Sequence, residues 1–303
     1  MNAGDQSGRF TLLAVIAGIF GVGFFSAKAV MVKLAYQYDI DSISLLLFRM
    51  IFALPFYVLI ATQKTISRPV RIRRNDIFLI IILGVIGYYL ASYFDFLGLQ
   101  HITAGQERII LFVYPTIVLI LSRVFLKKRI NRYQFIAVLI TYVGVVITFY
   151  PQIASASLTG NYLIGAGFVF LSAVTYAAYL VGSQALIPRL GAARFTSYAM
   201  IIACISVILH YTLTRDFDLT GYPSEVYVIG ILMAVVSTVI PSYLVSYTIK
   251  IIGAPNFSIL GSLGPVFTIA LAWFVLDETF TIVQVVGAIV VIGGIFVLSK
   301  QKG

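Results

Sequence analysis

Long apolar runs bounded by charged or turn residues recur from end to end of the chain, near 11–35, 42–62, 77–98, 105–125, 133–150, 162–185, 195–213, 225–248, 256–276 and 281–299. The runs are continuous rather than alternating, and most approach the roughly 20 residues with which a helix crosses a hydrocarbon core about 30 Å thick. The pattern predicts an all-α integral membrane protein of ten transmembrane helices, with connectors too short for a separate soluble domain.

The connectors alternate in charge. The second carries Lys64, Arg68, Arg71, Arg73 and Arg74, and the fourth Lys127, Lys128, Arg129 and Arg132; Arg189, Arg194, Lys250, Lys300 and Lys302 follow on the same side. The odd connectors hold Asp39 and Asp41, no charge, and Arg215 against Asp216 and Asp218. By the positive-inside rule both termini are cytoplasmic, and an odd number of spans breaks the alternation. Of 303 residues 60% are hydrophobic and 11% charged, so the net charge of +10 reads as a topology signal and not as a nucleic-acid surface. Anionic lipid headgroups are the expected partners of the 64–74 loop. The first run follows Asp5 and Arg9 without a small-residue cleavage site, as a first span does rather than a removable signal peptide. The location expected for such a chain is a bacterial inner membrane.

A shift of 150 residues lays Ala104, Pro115, Gln134 and Gly144 on Ala254, Pro265, Gln284 and Gly294. Two five-helix repeats follow, 1–151 and 152–303. Five being odd, the second is inverted relative to the first, the arrangement through which secondary transporters alternate the access of a central site.

Ionisable groups inside a bilayer cost at least roughly 2.5–3.5 kcal/mol each, so each demands a partner, water or a function. Lys28, Arg49, Asp95, Glu107 and Arg108 all fall in the outer half of the expected topology. Two readings overlap: a salt-bridge network that ties spans one to four, and a site in which Asp95 and Glu107 couple transport to protons while Lys28 or Arg49 attracts a substrate carboxylate. Neighbours on a helix point about 100° apart, so Glu107 and Arg108 are expected to address different partners. Pro55, Pro115, Pro241 and Pro265 remove helical hydrogen bonds, which predicts breaks in spans four, eight and nine. The run Gly261-Ser262-Leu263-Gly264-Pro265 is the candidate unwound stretch, with Ser262 and backbone groups offered to a ligand. Tyr88 and Ser92 share a face with Asp95, Tyr114 with Glu107, and Tyr243 with Tyr247, forming an aromatic, hydroxyl-lined pocket suited to an amphipathic solute. Tyr36, Tyr38, Tyr150, Tyr211 and Tyr222 sit where interfacial anchors are expected. Small residues on spans five and ten, Ala137, Thr141, Gly287 and Gly294, fit either packing within a monomer or a homodimer face.

Nothing calls for a cofactor. Cys204 is the single cysteine, His101 and His210 stand apart from any metal-ligand spacing, and no phosphate-cradling glycine loop or catalytic nucleophile motif occurs. The alternative to a carrier is an intramembrane enzyme acting on a lipid-like substrate, with Asp95 and Glu107 as its convergent groups. The inverted repeat argues against it, because an enzyme has no use for two interchangeable halves. No filter-like motif supports a channel.

These features together resemble the EamA-type members of the drug/metabolite transporter superfamily over essentially the whole chain. The matching residues are Phe20-Gly21 with Lys28 eight positions after the aromatic, Leu47-Phe48-Arg49, the prolines Pro115 and Pro265, and Asp277-Glu278 closing the ninth span. The second half repeats the first-span pattern as Tyr176-Ala177 and Gln184, which brings Tyr176 among the candidate substrate contacts. Phe20 stands where tryptophan is common, and Lys128 where a glutamate commonly follows the fourth span. The resemblance implies a ten-helix carrier of small organic solutes, often an exporter of amino acids or related metabolites.

Overall fold

The structure, a computed structural model, describes residues 3–67, 69–150, 160–215, 219–276 and 281–300; Asp216, Asp218, Asp277, Glu278 and Lys302 lie outside them. All regular structure among the described residues is helical. The first five apolar runs form α1 (Ala3–Tyr36), α2 (Ser42–Ser67), α3 (Arg74–Gly84), α4 (Ala91–His101), α5 (Ala104–Leu111), α6 (Tyr114–Phe125) and α7 (Arg132–Thr148). The rest form α8 (Gly160–Leu190), α9 (Ala192–Thr214), α10 (Ser224–Ala234), α11 (Ile240–Leu260), α12 (Leu263–Leu276) and α13 (Ile282–Ser299). Among the described residues, seven helical stretches are long and apolar enough to cross a membrane; Arg132–Thr148 and Ile282–Leu298 are shorter apolar helices.

Polar residues set the ends. Asp41 receives the amides of Ile43 and Ser44 at 3.0 and 3.2 Å as α2 begins. Capping boxes open α5 with Thr103 and Gln106, α7 with Asn131 and Gln134, and α13 with Thr281 and Gln284. In each, the hydroxyl or amide oxygen and the Gln side chain satisfy each other's orphaned amides. The repeated glutamines Gln134 and Gln284 thus recur because two helices start in the same way.

The 150-residue offset extends to the irregular backbone. Between α3 and α4, Val85–Leu90 widens into a π-helical turn, and Val235–Val239 does the same between α10 and α11. In the second, Ser237 and Thr238 hydroxyls both donate to the carbonyl of Met233, at 3.0 and 2.8 Å, just ahead of Pro241. Helix breaks at Phe112–Val113 and at Gly261–Ser262 fall within one residue of the same offset, and each is followed within four residues by a proline, Pro115 or Pro265. These prolines lie in the first turn of the resumed helix, where the missing amide is tolerated. Pro55 lies inside α2 without ending it.

Ser224–Leu260 is not one straight rod. Gly253 takes φ 82° and ψ 160°, a conformation open to glycine, and two helices meet there. Packing follows the same offset: α1 lies on α11 and α12 as α8 lies on α4 and α6, while α2 pairs with α9 and α7 with α13. The α7–α13 seam uses the small residues. A Cβ on Gly144 would meet the Val291 amide nitrogen at 2.7 Å and the Gly287 carbonyl oxygen at 2.9 Å, and Gly294 sits as closely against Ala137 and Thr141. Of the expected interfacial anchors, Tyr38 and Tyr150 are exposed. Tyr36 instead donates to the Phe96 carbonyl at 2.7 Å, Tyr211 is buried, and Tyr222 packs edge-on to Phe48, because each falls on an inward face.

Gly144→Leu should therefore force α7 and α13 apart and lower stability by about 1–3 kcal/mol, the usual cost of overpacking. Thermal loss of helical circular dichroism in detergent checks this, and an unchanged midpoint would contradict the close backbone contact.

Candidate functional site

The two π-helical turns and the two helix breaks related by the repeat converge on one cavity, with about 760 Å³ of empty space including its mouth. Gly87 and Tyr88 come from the first π-helical turn and Thr238 from the second. Leu111 and Gly261 stand at the two helix breaks, and Gly264 begins the resumed α12. Ser26 and Lys28 of α1, Arg49 of α2, Ser92 of α4, Arg108 of α5, Tyr114 of α6 and Ser172 and Tyr176 of α8 complete the polar lining. Discontinuous helices at such a place turn backbone polar groups toward the cavity instead of toward lipid.

The described charges at the cavity are arranged in two ion pairs and one guanidinium outside them. Lys28 Nζ lies 2.7 Å from Asp95 Oδ2, and Asp95 is 0% exposed. Arg108 Nε lies 3.0 Å from Glu107 Oε2, so these sequence neighbours are partners after all. Backbone directions 100° apart do not prevent this, since both side chains are long enough to bend along the cavity rim away from hydrocarbon. The Asp95 and Glu107 carboxyls lie close enough to act on each other electrostatically, which couples the two pairs.

Arg49 is the guanidinium outside these pairs. It is 2% exposed, donates from Nη2 to Ser92 Oγ at 2.8 Å, and lies over the Phe96 ring at 5.2 Å. No described ion pair includes it, and its Nε has no hydrogen-bond partner; Arg108 Nη2 is likewise unused. The cavity thus presents spare donors and one positive charge beyond its internal pairs, which favours an anionic group.

Aromatic rings form the other wall. Tyr114 donates to the Ser258 carbonyl at 3.1 Å, and its ring stands edge-on to Tyr176 with centroids 5.5 Å apart. Gly261 is what admits this ring, because a Cβ there would collide with the Tyr114 hydroxyl. Tyr88 stands edge-on to Tyr179 at 4.8 Å.

Six of the eight expected contact residues, Lys28, Arg49, Tyr88, Ser92, Tyr114 and Tyr176, therefore line one cavity. Tyr243 and Ser262 do not. Tyr243 shares a hydrogen bond of 2.7 Å with Ser197, in a seam of hydroxyls that also pairs Tyr57 with Ser242 at 2.9 Å and Thr196 with Ser246 at 2.6 Å. Ser262 turns its hydroxyl back onto the Ile259 carbonyl, satisfying the break locally. Asp95 and Glu107 sit just behind the lining. Pro115, Pro241 and Pro265 act through the backbone, whereas Gly264 lines the cavity and accepts Ser26 Oγ at 3.1 Å. Sequence reasoning missed Ser26, Gly87, Ser172 and Thr238. The repeat carried a signal for Ser26, which falls on Tyr176 after a shift of 150; a π-helical turn leaves no comparable mark in apolar sequence.

Removing one member of a buried ion pair strands the other charge, at a cost of about 3–5 kcal/mol, while replacing both is far milder. Lys28→Met and Asp95→Leu should each lower the unfolding midpoint of the purified protein markedly, and the double variant should recover most of the loss. Additive losses would mean that the two groups are not coupled.

The model of the EamA-like transporter family matches residues 12–150 and again 163–300. The uncharacterised transporter YcbK of Bacillus subtilis is 31% identical over 301 residues, covering 98% of this chain and 95% of its own. An uncharacterised transporter of Archaeoglobus fulgidus is 25% identical over 234 residues, covering 77% and 81%. A solved crystal structure with 13% identity superimposes with a TM-score of 0.75 over 94% of this chain and 96% of the other, a likeness of fold. With a family model spanning both halves, this multi-pass chain belongs to the EamA-like transporter family.

Proposed function

We propose that the chain is a secondary transporter that moves a small organic solute bearing a carboxylate, such as an amino acid or a related amphipathic metabolite, by alternating access, with export as the working direction. The observation that carries this reading is Arg49, a buried guanidinium at the cavity wall with an unused Nε and no acidic partner among the described ion pairs. A substrate carboxylate supplies the missing counter-charge, and the tyrosine wall receives an apolar or aromatic remainder.

In this reading the membrane is a bacterial inner membrane and the spans number ten. Dividing Ser224–Leu260 at Gly253, joining its end to α12 and adding the two short apolar helices gives that number. Both termini are cytoplasmic, and 1–151 and 152–303 are repeats of opposite orientation. Exchange of conformation between the halves opens the cavity to one side and then the other.

Coupling belongs to Asp95 and Glu107. A proton taken up by either carboxyl leaves Lys28 and Arg108 to share the remaining carboxylate, and a substrate carboxylate can neutralise the positive charge so uncovered.

The first experiment is counterflow in liposomes with labelled amino acids, sugars and nucleosides. Saturable exchange of carboxylate-bearing solutes alone is the expected result. Exchange confined to uncharged sugars would overturn the substrate reading. Arg49→Gln should slow the active solute by about 10- to 100-fold while the protein still folds, the loss expected for one charge-assisted contact. Glu107→Gln should leave exchange at a fixed pH but flatten its response to an imposed pH gradient; a retained response would remove Glu107 from the coupling step.

A further inference from the structure

A second polar recess lies away from the central cavity, where the loop after α6, the first turn of α7 and the bend at Gly253 meet. It encloses about 610 Å³ of empty space with its mouth, and its polar lining is Ser122, Lys128, Arg129, Gln134 and Asn256. No carboxylate lines it, and neither cation appears in a described ion pair. Gln134 donates to Asn256 Oδ1 at 2.8 Å, which fixes one wall. Lys128 Nζ reaches within 3.6 Å of where a Gly253 Cβ would stand, over the bend itself. Ser122 is 1% exposed, and its hydroxyl has no hydrogen-bond partner. A positive-inside loop accounts for the two cations, but not for a recess with a buried, unsatisfied hydroxyl at its base.

We propose that this recess binds a phosphate group. An ammonium, a guanidinium, a hydroxyl and side-chain amides around one hollow match the several acceptor oxygens of a phosphate, and two unpaired cations match its charge. The phosphate comes either from a phospholipid headgroup or from a soluble phosphate. Bound there, it bridges the α6–α7 loop to the α11 bend and so ties together segments that belong to different halves of the chain. The site is independent of the solute carried in the central cavity.

The test is equilibrium binding to the full-length protein in phosphatidylcholine nanodiscs, with inorganic phosphate and short-chain phosphatidylglycerol as separate probes. At least one should bind saturably, and Lys128→Ala with Arg129→Ala should weaken it by about 10- to 100-fold. Ser122→Ala should weaken it to a lesser degree with the fold retained, and Arg71→Ala with Arg74→Ala, which removes headgroup contacts of the other basic loop, should leave the component that depends on Lys128 and Arg129 unchanged. Binding of phosphate assigns a soluble ligand, and binding of the lipid alone assigns the headgroup. Absence of saturable binding by both probes, or equal loss in the two double variants, would overturn the proposal.

Discussion

A backbone amide or carbonyl facing hydrocarbon without a partner costs several kcal/mol, so a helix that spans a bilayer can break only where protein or a polar cavity receives the freed groups. This constraint organises the whole molecule. The π-helical turns at Val85–Leu90 and Val235–Val239 and the breaks at Phe112–Val113 and Gly261–Ser262 do not scatter along the lipid face; all four contribute to one central cavity or adjoin residues that do. Local side chains take up part of the debt, Ser237 and Thr238 on Met233 and Ser262 on Ile259. Elsewhere the Ser262 and Gly264 amides turn back onto the Ile259 and Gly261 carbonyls, and Tyr114 and Ser26 donate to the carbonyls of Ser258 and Gly264.

Charge follows the same logic with larger energies. Lys28 with Asp95 and Glu107 with Arg108 neutralise one another at the edge of the cavity, so the protein can hold four ionised groups there without exposing any of them to lipid. Arg49 differs in having a serine and an aromatic face in place of a carboxylate. The ion-pair network and the candidate site are therefore one object: the pairs support the pocket, and the guanidinium outside them gives it a sign.

The two halves share a backbone plan but not a chemistry. At the positions 150 residues beyond Arg49, Asp95, Glu107 and Arg108 stand Ala199, Val245, Phe257 and Ser258. Charges thus gather in the first half, and the corresponding packing of the second is apolar or hydroxyl-bearing, as in the Tyr57–Ser242 and Thr196–Ser246 contacts. A mechanism that exchanges the conformations of two such halves would break ion pairs on one side and neutral hydrogen bonds on the other, with different dependence on pH.

Hydrophobic run length and the placement of lysine and arginine determined, from sequence alone, a helical membrane chain and the approximate extent of its spans, because transfer of apolar surface from water is local and nearly additive. The offset of 150 was legible in Pro115, Pro265, Gln134 and Gln284, since a proline after a break and a glutamine in a capping box act within one turn. Tertiary structure alone decided which polar residues meet. Tyr243 left the cavity for Ser197, Glu107 found its own neighbour, and Ser26, Gly87 and Thr238 joined the lining. A single extra residue in a π-helical turn rotates everything after it by about 100°, and the reach of a long charged side chain can exceed the angle between neighbours. Neither effect is written in the periodicity of an apolar sequence; both depend on where the other helices stand.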